Sequence, residues 1–352
     1  MYPFLIVISL VWFSEFYAPE THSTENDLLK AHIQITELPV HSDASLRGLY
    51  VVSEKVIWAS GSGGTVLQSV DGGKVWKEIK IPGQTNNDFR SIHAWDENRV
   101  LVFGIAGPDF GFLTEDGGKS WQVVYQNTTG GLFFNSLKFA SEKVGLAVSD
   151  PVNGKPFVIK TTDGGKTWKI IKNIPDAKEG EANFAASNTC IEFLPSGKAW
   201  MATGGSAARI FYSEDFGENW KVAETPMIYG GTSSGIFSVC FVNDREGAIV
   251  GGTYDNPELN EKMAAFTTDG GKTWLLSENM PNEYRSCVQR AGTSKDGFLF
   301  VIGKTGCDIS ADGGKNWNFV KETNYFTFRP VPGKNIGFAA GSEGRIARVE
   351  FQ

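Results

Sequence analysis

The sequence predicts an all-β protein: a single seven-bladed β-propeller with four-stranded blades, closed by an N-terminal strand at 33–38 that completes the last blade. Three observations lead there. An eight-residue box recurs six times, at 69–76 (SVDGGKVW), 114–121 (TEDGGKSW), 161–168 (TTDGGKTW), 213–220 (SEDFGENW), 267–274 (TTDGGKTW) and 310–317 (SADGGKNW). Its aspartates, Asp71, Asp116, Asp163, Asp215, Asp269 and Asp312, stand 45, 47, 52, 54 and 43 residues apart, a period that suits one four-stranded blade. After the sixth box, three strand-like segments at 325–330, 336–341 and 345–349 run out before a fourth, so a seventh blade has to borrow one.

In chain order, residues 4–13 (FLIVISLVWF) form an apolar run of 10 residues. That is too short to span a bilayer and has the length of a secretory signal core. Residues 1–18 are therefore read as a signal peptide, with export to the periplasm or the extracellular space expected, and 19–32 as a polar tether. The segment 33–38 (IQITEL) alternates with Ile33 and Ile35 on one face, like the strands that follow each box. Pairing it in the last blade ties the two termini together and leaves that blade complete. The blades before it fall near 44–80, 87–125, 132–173, 184–224, 235–278 and 284–321, each reading strand, turn, strand, loop, strand, box, strand. Within the box, Asp accepts N–H groups of the turn, Gly takes a left-handed conformation, and Trp opens the next strand and packs on its neighbours. These are folding residues, because stability needs one solution in every blade whereas a catalytic or calcium site does not.

Composition narrows the function. With 41% hydrophobic and 21% charged residues the chain is an ordinary globular one, neither disordered nor coiled coil. Lys plus Arg number 33 against 40 acids, a net charge of −7, so there is no global field for nucleic acid or an anionic membrane. Only His22, His32, His41 and His93 exist, which starves histidine relays and His-rich zinc sites. Cys190, Cys240, Cys287 and Cys307 form no C-x-x-C and read as buried strand residues without a disulfide. A monomer without a cofactor and without a stable membrane span is expected.

The boxes resemble Asp-box, or BNR, repeats, which occur in sialidases, sortilin-type receptors, xyloglucanases and the photosystem II stability/assembly factor family. The form TTDGGKTW, with a strand of the kind seen at 61–66 before it, is most similar to the last of these, and the resemblance covers residues 33–350. It implies a binding propeller that escorts an assembly subunit through a basic surface. The box is scaffold in all these families, so the likeness speaks for fold more than for activity.

In such a ring the first strand of each blade lines the channel. One mouth collects the second-to-third strand loops and the links between blades, and the boxes face the other way. The longer loops 105–111, 150–156 and 253–262 and the links 174–186 and 225–234 all belong to the first mouth. Aligning the blades on the residue that closes the second strand brings Arg47, Arg90, Asn135, Asn188, Phe237, Arg285 and Arg329 to the start of the first strand. The four arginines lie on consecutive blades, a basic arc facing Asp150, Glu181 and Asp255 across the mouth. Guanidinium forks suit carboxylates, so the expected ligand is an acidic protein partner or an anionic glycan. The alternative role for each Arg is pairing with a nearby acid such as Asp88 or Glu283.

The rival class is a glycoside hydrolase using loop acids, with Asp109, Asp150 and Asp255 as candidates. The Phe/Tyr-Arg-Ile-Pro segment usual ahead of a sialidase's first box has no counterpart: Leu46-Arg47-Gly48-Leu49 is the nearest stretch, and Phe328-Arg329-Pro330 comes at the wrong end. The stretch at 150–155 reads equally well as a Pro/Asn/Gly turn.

Overall fold

A computed structural model describes Met1 and residues 33–128, 130–293 and 297–352. The expected signal segment and tether lie outside the described residues. Seven sheets stand in a ring, and the described residues contain no helix, hence none long and apolar enough to cross a membrane. Blade one runs Leu46–Val51, Ile57–Gly61, Thr65–Ser69 and Lys77–Lys80 from the channel outward, and the other blades repeat this antiparallel order. The closure is as the sequence predicts. Ile33–Glu37 pairs with Ile346–Phe351, Ile33 opposite Phe351 and Glu37 opposite Ala347, so the outer strand of blade seven comes from the other end of the chain. Ile33 and Ile35 pack on the core of Phe298, Phe300, Phe328 and Phe351 that joins blades six and seven.

The boxes do the local work their composition suggests. Thr161 Oγ1 donates to Asp163 Oδ1 and accepts from Gly165 N, while Asp163 Oδ1 also accepts from Lys166 N and Thr167 N. Gly165 sits at φ 87°, and a Cβ there would come 3.0 Å from Leu101 of the preceding blade, so this glycine serves both the turn and the inter-blade contact. Trp168 Nε1 then donates back to Gly165 O at 3.0 Å. The Ser/Thr-to-Asp bond recurs at Asp71, Asp116, Asp215, Asp269 and Asp312, and the Trp-to-Gly bond at Trp76, Trp220 and Trp274.

Each blade adds an apolar layer against the next. Trp58, Val66 and Ile79 of blade one meet Phe89, Ile92 and Val100 of blade two, all buried, and each such side chain contributes about 1.5–3 kcal/mol. The four cysteines are buried and unpaired. In blade six Cys287 faces Ile302, which in turn faces Cys307, so a whole strand separates those two sulfurs.

Blade four departs from the pattern. Its inner strand shortens to Ile191–Phe193, and the residues before it cross the channel as a plug. Ser187 O accepts from Thr327 Oγ1 and Arg329 Nη2 of blade seven, both at 2.9 Å, and Ser187 Oγ donates to Ser286 O of blade six. Asn188 Nδ2 donates to Ile92 O of blade two at 2.9 Å, and its Oδ1 accepts from Leu137 N of blade three at 2.8 Å. Thr189 O accepts from Val239 N of blade five, and Arg47 of blade one reaches Ala186 O at 3.4 Å. One short segment thus bonds to every other blade.

Candidate functional site

The closing glycines set the true register of the inner strands. A Cβ on Gly61 would lie 3.0 Å from Leu46 Cα, and equivalent contacts join Gly251 to Ile236, Gly303 to Arg285 and Gly341 to Tyr325. These are first positions, whose side chains (Leu46, Phe89, Phe134, Ile236, Tyr325) are buried in the core. A bulge follows in blades one, two, three, five and seven, placing Arg47, Arg90, Asn135, Phe237 and Phe326 at the second position.

Two of the four arginines therefore leave the expected arc. Arg285 is in a first position: its side chain is 0% exposed and Nε donates to Asp308 Oδ2 at 2.5 Å. It is a core cation that needs its acid, and burial pushes the Asp308 carboxyl upward even beside that guanidinium. Arg329 is a fifth-position residue, three places deeper than the alignment put it, and it lies below the plug, donating to Ser187 O and Asn188 O. The place opposite Arg47 in blade seven belongs to Phe326. Asn188 is in the plug itself, buried, at φ 58°. Glu181 faces no ligand either: it is buried against Arg209 and accepts from Thr203 Oγ1 at 2.6 Å.

What does converge is a cleft of about 780 Å³ on the long-loop mouth. Arg47 lies over the Phe326 ring at 4.3 Å, and Arg90 over Phe133 at 5.2 Å with Nε on Asp88 Oδ2 at 2.8 Å. The pairing of Arg90 with Asp88 is the structural alternative the sequence offered. Burial, then the charge of Arg90, holds the Arg47 guanidinium below its usual value. Asp150 lines the far wall, its Oδ1 accepting from Asn183 N at 3.1 Å and from Asn135 Nδ2 at 3.2 Å. Burial pushes its carboxyl up. The buried Asn135 is thus a positioning residue for Asp150. Asp255 is exposed on its loop and does not line the cleft, whereas its neighbour Tyr254 does. Asp109 begins a strand, with its backbone opposite Gln126. The 150–156 stretch is a hairpin whose Asn153 and Gly154 turn at φ 52° and 76°, which is the turn reading.

Sequence reasoning missed the cleft's floor. Phe184 stacks on Phe237 at 3.9 Å and 5°, and Tyr284 meets Phe237 edge-on at 4.8 Å. Phe237 stands in the alignment of first strands, whereas Phe184 comes from the segment before the shortened inner strand of blade four, which carries no motif. Cations beside an aromatic floor suit an acidic group carried on an apolar or planar scaffold.

Among solved structures, the chain is similar to YCF48 bound to a D1 peptide, with TM-score 0.62 and 16% identity over 91% of this chain and 96% of that one. It is also similar to YCF48 from Cyanidioschyzon merolae, with TM-score 0.64 and 15% identity over 90% and 98%. An ancestral GH74 enzyme gives TM-score 0.63 and 11% identity over 89% of this chain but 46% of that one, so the chain spans about half of that enzyme. These likenesses show the fold. No family model and no curated protein matches the sequence.

Proposed function

We propose that the protein is a non-catalytic binding propeller that holds an acidic segment of a protein partner in the long-loop mouth, with Arg47 and Arg90 as anchors. The observation that carries this reading is Arg47. It is half-buried in an aromatic cleft, has no carboxylate partner among the described residues, and spends its fork on one long bond to Ala186 O. A ligand carboxylate supplies what the site lacks, and the floor of Phe184, Phe237 and Tyr284 offers area for apolar side chains flanking it. That YCF48 has been seen with a D1 peptide bound supports a peptide role for a propeller of this shape. Export through residues 1–18 belongs to the same proposal and is checked by sequencing the mature N-terminus.

The test is fluorescence polarisation against a library of acidic peptides and their amidated counterparts, with a panel of sialosides and other fluorogenic glycosides beside it. Wild type selects acidic members and loses them as salt rises, and each Arg→Ala at 47 and 90 costs roughly 1–3 kcal/mol of binding. Equal binding by the Arg47→Ala/Arg90→Ala double variant sinks the anchor assignment. Glycoside hydrolysis abolished by Asp150→Asn moves the protein to the enzyme class.

A further inference from the structure

Below the plug, the fifth positions of the seven inner strands form a second ring: Tyr50, His93, Lys138, Glu192, Cys240, Gln289 and Arg329. Six of them line a cavity of about 170 Å³. Four features of this ring point to a ligand. Lys138 Nζ and Glu192 Oε1 stand 2.9 Å apart and cancel, so among the charged side chains lining the cavity the charge of Arg329 is left over. The described contacts of Arg329 are backbone carbonyls, Thr327 Oγ1 and Cys287 Sγ, none of which carries a full negative charge. His93 is 7% exposed, held between Tyr50, Trp95 and Phe139 at ring distances of 4.5, 4.6 and 4.4 Å, and its Nδ1 has no protein partner. A buried polar atom left so costs about 1–3 kcal/mol unless something else satisfies it. Beside the polar Asn188, Thr189 and Gln289, the wall has an apolar part made by Val51, Leu137, Ile191 and Pro330.

We propose that the lower half of the channel binds a small monovalent carboxylate, seated in the fifth-position ring against Arg329, Lys138 and His93. A single negative charge balances the leftover guanidinium. Lys138 keeps N–H donors beyond the one on Glu192, and the apolar wall accepts a short alkyl chain. A cavity near 150 Å³ holds benzene, so the ligand has about six heavy atoms or fewer. It enters from the box face, because the plug closes the other mouth and a wider opening of about 560 Å³ shares Tyr50, His93 and Phe139 with the inner cavity. This site is separate from the cleft of Arg47 and Arg90.

The experiment follows the His93 imidazole resonances of the full chain by NMR during titration with sodium propionate, propionamide, phosphate and chloride. Propionate gives a saturable shift and propionamide none. Lys138→Gln weakens propionate roughly tenfold, and Glu192→Gln, which adds a net positive charge to the ring, strengthens it several-fold. Arg47→Ala/Arg90→Ala leaves the titration unchanged, which separates this site from the upper one. The absence of a saturable shift in wild type overturns the proposal, as does equal response to propionamide, phosphate or chloride, or a Glu192→Gln chain that binds propionate no better.

Discussion

Asn188 is the residue on which the plug turns, and its replacement by alanine has a calculable cost. Three hydrogen bonds are lost, from Asn188 Nδ2 to Ile92 O at 2.9 Å, from Leu137 N to Asn188 Oδ1 at 2.8 Å and, longer, from Ser136 Oγ to the same Oδ1 at 3.4 Å. The two shorter bonds engage backbone groups of the buried Ile92 and Leu137, and each of these left unsatisfied costs about 1–3 kcal/mol. The backbone at 188 is left-handed, φ 58°, a conformation that asparagine tolerates and alanine pays about 1–2 kcal/mol to adopt. Together these give a loss of about 3–8 kcal/mol for Asn188→Ala, and about 1–2 kcal/mol less for Asn188→Gly, which loses the same bonds but relieves the backbone. At roughly 2 cal/mol/K of unfolding entropy per residue, a chain of this length moves by about 1.5 °C per kcal/mol. Thermal and urea melts of the three proteins therefore order as wild type, then Gly, then Ala, with Ala about 4–12 °C below wild type. An alanine variant melting within 2 °C of wild type, or one as stable as the glycine variant, refutes the plug as a tie between blades.

Three other perturbations test separate parts of the structure. Burial, then the charges of Lys138 and Arg99, pushes the His93 imidazole down to about 3. The native state therefore takes up fewer protons than the unfolded chain, whose histidine titrates near 6.5; stability is whole above about pH 6.5 and declines as pH falls toward 3. His93→Phe flattens that slope, and urea midpoints at pH 7 and 4.5 that fall equally in both proteins contradict it. Arg285→Leu strands Asp308 in the core and costs about 3–5 kcal/mol, whereas Arg47→Ala changes stability by less than about 1; similar melts for the two variants undo their division into core and cleft residues. Trp317, 1% exposed with Nε1 on Ser277 Oγ at 3.3 Å, loses about 3–5 kcal/mol on truncation to alanine. The partly buried Trp76 loses less, and urea midpoints that rank them the other way count against burial as the cause.

The ring, its blade count and its closure were legible in the sequence because they rest on local chemistry repeated at a fixed period. Asp163 bonds to amides three and four residues ahead, Gly165 turns left-handed beside it, and Trp168 answers that same glycine. Such interactions span a few residues, so the octapeptide that makes them can be read wherever it recurs. The strand 33–38 was readable for a related reason, since a three-stranded remainder has one unfilled edge and Ile33 and Ile35 alternate to suit it. That Arg47, Arg90 and Asp150 share one mouth was also readable, because loop lengths choose the mouth and the mouth collects them. What only the tertiary structure decided was the depth of each inner-strand residue. A shift of one position turns a mouth cation into the core cation Arg285, a shift of three places Arg329 in the lower ring, and neither leaves a mark in composition or period. The plug lies further still from sequence reasoning. Ala186, Ser187, Asn188 and Thr189 have no shared motif, and their partners Ile92, Leu137, Val239, Ser286 and Thr327 are brought within hydrogen-bond reach only when seven blades close around one axis.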